Sequence, residues 1–222
     1  MKNTFLAALS AAAMVTSMSL QAVTPAVASL QEKWAKANYE LSGKEQSQAF
    51  ETLIHDADLS VAADPSHAEP LIWRGIINSS YAGIKGGMGA LSLAKTAKAD
   101  LENALAIDES ALNGSAYTTL GTLYYKVPGW PLGFGDDDKA EAYLKKALTM
   151  NPNGIDSNYF YALYMMDKKD YSAAEKYLLT AQQAAPRPDR PLADMGRQAE
   201  IRQALDQVRY QLRQGKSASF TN

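Results

Sequence analysis

The sequence predicts an all-α fold made of repeated helix pairs, followed by one more helix near the carboxyl end. A pattern of alanine, leucine, alanine and proline recurs at fixed spacing, and Leu192–Arg213 carries apolar residues three and four positions apart. Both spacings place the recurring residues on one face of a helix. With 222 residues, 46% of them hydrophobic and 21% charged, the chain has the composition of an ordinary globular protein.

The amino-terminal segment has the features of a secretory signal peptide. Lys2 precedes the uncharged run Phe5–Leu20, and small residues follow around Ala22 and Ala28. A transmembrane anchor needs about 20 strongly apolar residues, and this run is shorter and rich in Ala, Ser and Thr. We therefore expect residues 1–28 to be a signal peptide cleaved after Ala22 or Ala28. The mature protein is expected to be soluble and periplasmic, without a membrane span, and the absence of cysteine excludes lipidation.

Helical repeats are predicted for residues 29–191. In each copy, the second, third and fourth residues of the pattern lie four, seven and twelve positions after the first. Because small and bulky residues alternate on this face, a neighbouring helix can approach at the alanines while the leucine fills the space between them. The copies are Ala140, Leu144, Ala147, Pro152; Ala174, Leu178, Ala181, Pro186; Ala97, Leu101, Ala104, Glu109; and the degenerate Leu53, Ala57, Ser60, Pro65.

Another helix with its own apolar face precedes each repeat helix. In the clearest copy this face carries Tyr117, Leu120, Gly121 and Tyr124. A glycine inside a helix costs about 1 kcal/mol relative to alanine. Gly121 is therefore expected at a point where two helices touch.

A helix with a Leu-Gly pair and an aromatic residue, a turn, and a helix reading Ala-x3-Leu-x2-Ala with a terminal proline resembles the tetratricopeptide repeat. The resemblance is specific at Tyr117–Pro152 and Asn158–Pro186 and covers most of the chain between Leu30 and Pro186. It implies a right-handed solenoid of helical hairpins, with residues 192–214 as a helix that caps the last repeat. Residues 215–222 are polar and are expected to form a flexible tail.

Two repeats are longer than the standard spacing, and we interpret the added residues as lengthened turns. The inserts are Gly83–Gly89 and the residues from Val127 to Gly135. Val127–Pro131 and the surrounding helices resemble exported proteins of the TRAP transporter T-component group, which are built from divergent tetratricopeptide repeats. This resemblance implies, as an alternative function, an accessory protein of solute uptake that binds transporter subunits or a small apolar or organic-acid ligand.

No combination of residues indicates catalysis, a metal ion or a cofactor, so we expect a protein that is not an enzyme. His55 and His67 lack partners at metal-ligand spacing, and Asp136–Asp138 lacks the alternating ligands of a calcium loop. Acids in this position suit the start of a helix. Gly83–Gly89 lacks the Gly-Lys-Ser/Thr ending of a phosphate loop. A formal net charge of −2 argues against nucleic acid as a partner.

A concave groove is the predicted functional surface, and we expect it to bind a protein or peptide segment of a periplasmic partner. Helical phase places hydroxyl and aromatic side chains towards this groove. The aromatic residues of the second insert either pack under their own repeat or shape the surface that a partner meets, including a second copy in a homo-oligomer. The candidate binding residues are Ser79, Thr118, Thr122, Tyr125, Trp130, Phe134 and Tyr159.

Overall fold

A computed structural model describes residues 23–219, with side chains through residue 215. This part of the chain is helical and contains no β-strand, which confirms the predicted all-α class for the described residues. The helices are α1 Pro25–Tyr39, α2 Gly43–Ala63, α3 Ala68–Lys85, α4 Gly87–Ile107, α5 Ser115–Lys126, α6 Asp137–Met150, α7 Ile155–Asp167, α8 Tyr171–Gln182 and α9 Pro191–Ser219, with a short 3₁₀ helix at Ala111–Gly114. Most of the predicted signal peptide, residues 1–22, lies outside the described range.

The helices pack as consecutive pairs and also with every second helix along one layer. α1 packs on α2, α3 on α4, α5 on α6, and α7 on α8. Contacts also join α1 to α3, α3 to α5, α5 to α7 and α7 to α9, whereas α2, α4, α6 and α8 make no contacts with one another. The helices of the first layer are therefore packed together along the described chain, and those of the second layer are not.

Glycines mark the closest approach of the helices within two of the pairs. A Cβ atom on Gly121 would lie 2.6 Å from Cγ of Leu144 and 3.1 Å from the carbonyl oxygen of Ala140. A Cβ atom on Gly75 would lie 2.6 Å from Cγ of Leu101. The prediction that Gly121 lies at a contact between helices is confirmed.

The recurring alanines and leucines form the interior of the helix pairs. In all four copies the first three residues of the pattern are at most 8% exposed, and the least buried of them is Ser60. The spacing therefore predicted the buried face of α2, α4, α6 and α8. Asp136 is the N-cap of α6, where its carboxylate accepts a hydrogen bond from the backbone N–H of Lys139 at 3.1 Å, as its position before the helix predicted.

The first predicted insert, Gly83–Gly89, is not a lengthened turn. α3 continues through Lys85 and α4 begins at Gly87, so the added residues extend both helices. Gly86 and Gly87 have φ values of 65° and 60°, which glycine adopts without steric cost. Two residues are therefore enough to reverse the chain. The second insert, Val127 to Gly135, does lie between two helices, α5 and α6, as predicted.

α9 is longer than predicted and contacts both ends of the described helix stack. It continues through Ser219, which includes residues 215–219 of the predicted flexible tail; residues 220–222 lie outside the described range. Its apolar stripe, which includes Ile201, Leu205 and Val208, is buried against α7 and α8. α9 also contacts α1, a contact that the repeat pattern did not predict.

We expect Gly121→Ala to destabilise the fold, although alanine favours helices, because the added methyl group would collide with Leu144 and with the backbone of α6. The expected loss is about 1–3 kcal/mol in the free energy of unfolding, measured by urea denaturation. Gly83→Ala is the matched control, since a Cβ atom on that helical glycine meets nothing within 4 Å. The free energy of unfolding of Gly83→Ala should rise by up to about 1 kcal/mol. Equal effects of the two substitutions would contradict a packing role for Gly121.

Candidate functional site

The start of α9 and the residues before it pack against α1, α3 and α7, and α3 and α7 carry residues that were predicted to line the groove. Leu192 and Ala193 join the apolar cluster formed by α1, α2 and α3. Gly196 lies against the ring of Tyr39 on α1, so closely that a Cβ atom there would overlap the ring. We call residues 187–200 the closing segment, because they connect the last helix pair to the first.

An ionic network centred on Asp156 of α7 holds the closing segment. Its carboxylate accepts hydrogen bonds from Arg187 at 2.8 Å and from Arg197 at 2.9 Å. Arg187 also forms an ion pair with Asp194 at 2.5 Å. Burial alone would raise the pKa of Asp156, but the positive charges of Arg197 and Arg187 outweigh burial and hold this pKa well below its usual range. Asp156 is therefore a carboxylate that two arginines share.

Arg197 connects this network to α1. Its side chain is buried, with the guanidinium carbon 4.5 Å from the ring centre of Tyr159 and 4.6 Å from that of Phe160. Arg197 donates to Glu200 at 2.5 Å, and Glu200 accepts the hydroxyl hydrogen of Tyr39 at 3.3 Å. The aromatic faces stabilise the cation in addition to the carboxylates. Helices α1, α7 and α9 therefore meet at one buried arginine.

Three buried polar atoms of the described side chains have no hydrogen-bond partner. They are Nε1 of Trp73, the hydroxyl of Tyr125 and Nε of Arg190. Burial raises the pKa of Tyr125, so this hydroxyl keeps its proton at neutral pH. The guanidinium carbon of Arg190 lies 5.0 Å from the ring centre of Trp73. Two of the three donors therefore belong to side chains in contact with each other, where the closing segment meets α3.

The second insert is a loop whose backbone is fixed by hydrogen bonds. The N–H of Gly135 donates to the carbonyl of Pro128 at 2.9 Å, and the N–H of Asp136 donates to the carbonyl of Tyr124 at 2.9 Å. The ring of Phe134 packs edge-on against Tyr124 with their centres 5.6 Å apart. The base of the loop is therefore anchored to α5 before α6 begins.

The tip of the same loop exposes large apolar side chains. Trp130 is 90% exposed and Leu132 is 72% exposed. The next residue, Gly133, lies beside Leu91 of α4, and Met88, one turn earlier on α4, is almost fully exposed. We call Trp130 and Leu132, the two large hydrophobic side chains that the loop exposes, the apolar tip.

The predicted binding residues divide into a buried group and an exposed group. Thr118 and Tyr159 are buried, and Tyr159 contacts Arg197 of the closing segment. Phe134 packs on α5, whereas Trp130 faces outwards. Five of the seven residues lie on three neighbouring helices: Ser79 on α3, Thr118, Thr122 and Tyr125 on α5, and Tyr159 on α7. Of these five, Ser79, Thr122 and Tyr125 are partly exposed.

The sequence reasoning missed the arginines of the closing segment. A signal was present at Pro186-Arg187-Pro188-Asp189-Arg190-Pro191, where two arginines stand between prolines that end one helix and begin the next. Their partners Asp156 and Trp73 belong to distant parts of the chain, so no local pattern connects them. No helix within residues 23–219 has both the length and the hydropathy to cross a bilayer. The described side chains form no group of three or more potential metal ligands.

The chain matches no protein-family model and no curated protein. The function of the chain is therefore inferred from its own sequence and structure. The described part is an all-helical protein with two distinct features, an ion-paired closing segment and an outward apolar tip.

We expect Asp156→Asn to lower the free energy of unfolding by about 2–4 kcal/mol at pH 7, because it leaves two arginines without their shared carboxylate. The folded pKa of Asp156 lies below the unfolded value of about 3.9, so its stabilisation is present above that pH and disappears as the pH falls through the folded pKa. The difference between wild type and variant should therefore shrink below about pH 4. Urea denaturation from neutral to acidic pH measures it.

The matched control is Asp58→Asn. Asp58 also pairs with an arginine, Arg74, at 3.0 Å, but its side chain is mostly exposed. We expect Asp58→Asn to change the free energy of unfolding by at most about 1 kcal/mol. A stability difference for Asp156→Asn that is the same at pH 7 and pH 3 would contradict the charge-based role of Asp156.

Proposed function

We propose that the protein is an exported, periplasmic interaction module without catalytic activity, which binds a protein or peptide segment mainly through its apolar tip. The exposure of Trp130 carries this proposal. A tryptophan that is 90% exposed on a fixed loop contributes little to its own fold. Tryptophan is among the residues that dominate binding energy at protein interfaces.

A tetratricopeptide-like, right-handed solenoid is part of the same proposal. The paired helices, the contacts between every second helix and the glycine contacts at Gly75 and Gly121 support it. In such a solenoid α1, α3, α5 and α7 line the inner surface, and turns between the helices of a pair lie at one edge. Apolar side chains at that edge are a natural extension of the binding surface.

The tip is favoured over the groove because the chain itself covers part of the groove. The closing segment packs on α1, α3 and α7, and it places Arg197 on Tyr159. A partner would have to displace these contacts to reach Tyr159. By contrast, Trp130 and Leu132 are exposed and held by a loop that is already ordered, so binding there requires little rearrangement.

Site-specific photo-crosslinking tests this proposal. A photoreactive amino acid at position 132 should capture one defined periplasmic protein, and the same group at exposed Leu59 should not. Trp130→Ala should then lower the affinity for the captured protein at least tenfold. Because Trp130 is exposed, the melting temperature should stay close to that of wild type.

The outcomes against this proposal are equally defined. Equal capture from positions 132 and 59, or an unchanged affinity of Trp130→Ala, would contradict a binding role of the apolar tip. Capture of a second copy of the chain, together with a wild-type dimer that Trp130→Ala dissociates in sedimentation, would assign the tip to self-association instead.

For the exported protein we predict cleavage after Ala22 and not after Ala28. α1 begins at Pro25, and Thr24 caps it by accepting a hydrogen bond from the N–H of Val27 at 3.3 Å. Val27 is fully buried, so cleavage after Ala28 would remove the cap and about 1.5–3 kcal/mol of apolar burial. Intact-mass measurement of the secreted protein distinguishes a first residue of Val23 from Ser29. A mature chain that starts at Ser29 would contradict the prediction.

A further inference from the structure

The contact between Trp73 and Arg190 contains two hydrogen-bond donors without an acceptor. Trp73 is 2% exposed, and neither its Nε1 nor Nε of Arg190 has a partner among the described residues. Trp34, in the same apolar cluster, donates its Nε1 hydrogen to Ser80 at 2.9 Å. Buried donors normally find an acceptor. Trp73 and Arg190 are therefore exceptions within their own surroundings.

Arg190 also differs from the other two arginines of the closing segment in its ion pairing. Arg187 and Arg197 share Asp156, and each has a further carboxylate partner. Arg190 forms no ion pair with any described side chain, and its guanidinium instead stacks on Trp73. Burial and the nearby charge of Arg187 lower its pKa, and the carboxylates of Asp156, Asp194 and Asp189 offset this lowering only in part, without contacting the guanidinium.

We propose that Trp73 and Arg190 form a binding site for the carboxylate group of a small ligand. A carboxylate accepts several hydrogen bonds and carries the single negative charge that one unpaired arginine can compensate. The nearby carboxylates of Asp156 and Asp194 disfavour a dianion such as phosphate. Leu192, a partly buried residue of the adjoining apolar cluster, lies two positions from Arg190 and offers an apolar surface to the body of the ligand.

The ligand can reach this site without separation of two helices. Arg190 is partly exposed and stands immediately before α9, where its carbonyl accepts a hydrogen bond from the N–H of Asp194 at 3.0 Å. Its backbone is therefore fixed by α9, and only the side chain has to rotate away from Trp73 to admit a ligand. The site involves none of the apolar tip residues, so it is independent of the proposed binding of a protein partner.

Nuclear magnetic resonance of the tryptophan indoles tests this site. The chain has three tryptophans, so a ¹⁵N-labelled sample gives three indole N–H signals, which Trp→Phe variants assign. Hexanoate should shift the Trp73 signal downfield in a saturable manner, because a carboxylate accepts that hydrogen. Hexanol, which has the same chain without the charge, should not, and inorganic phosphate should bind at least tenfold more weakly.

Variants separate the two donors. Arg190→Gln should weaken hexanoate binding at least tenfold, and Trp73→Phe, which keeps a ring but removes the N–H, should weaken it several-fold by fluorescence or calorimetry. Arg202→Gln, an exposed arginine of α9, is the control and should bind as wild type does. A melting temperature close to that of wild type verifies that each variant is folded, and Arg190→Met, which also removes the charge, serves in place of Arg190→Gln if that variant does not fold.

Three results would overturn the proposal. The first is the absence of a saturable Trp73 shift with hexanoate up to its solubility limit. The second is an equal response to hexanol or to phosphate, which would indicate an apolar site or a general anion site. The third is unchanged hexanoate affinity in the folded variant at position 190.

Discussion

The close contact between the two helices of a pair is the constraint on which the rest of the structure depends. At Gly75 and Gly121 the facing leucine approaches so closely that even a methyl group would not fit. Such contacts keep each pair compact, and the first-layer helices also touch one another whereas the second-layer helices do not. α9 packs on α7 and α8 at one end of the stack and also on α1 at the other. The ionic network joins the closing segment to α7, and the hydrogen bond of Tyr39 to Glu200 extends it to α1.

The ionic network determines where α9 lies more than it increases stability. Burying Arg197 removes it from water, and this desolvation cancels much of the attraction to Asp156 and Glu200. A misplaced α9 would leave those charges buried and unpaired, which costs far more. The network therefore disfavours alternative positions of α9. Arg190 stands beside the network and forms no ion pair with a described side chain, which is the basis of the carboxylate site proposed above.

Local periodicity predicted the features that depend on neighbours in sequence. The buried alanines and leucines of the repeats, the helix contact at Gly121 and the cap at Asp136 all follow from spacing within one helix or one turn. Local periodicity did not predict the chain reversal at Gly86. Two glycines with positive φ reverse the chain there while the flanking sequence stays helical. The contact of Arg197 with Asp156 spans 41 residues and joins α9 to α7. No pattern within one helix encodes it, so the sequence analysis did not predict how the start of α9 packs.

Within the second insert, some residues hold the loop in place and others are exposed. Phe134 and Asp136 attach it to α5 and α6, and its own backbone hydrogen bonds fix the turn. Trp130 and Leu132 contribute none of these interactions, and their exposure leaves apolar surface in water. Folding alone would favour polar side chains at these two positions, since they gain no burial there. The anchored base explains how the loop folds, and the partner proposed for the apolar tip would account for the two apolar side chains that folding does not require.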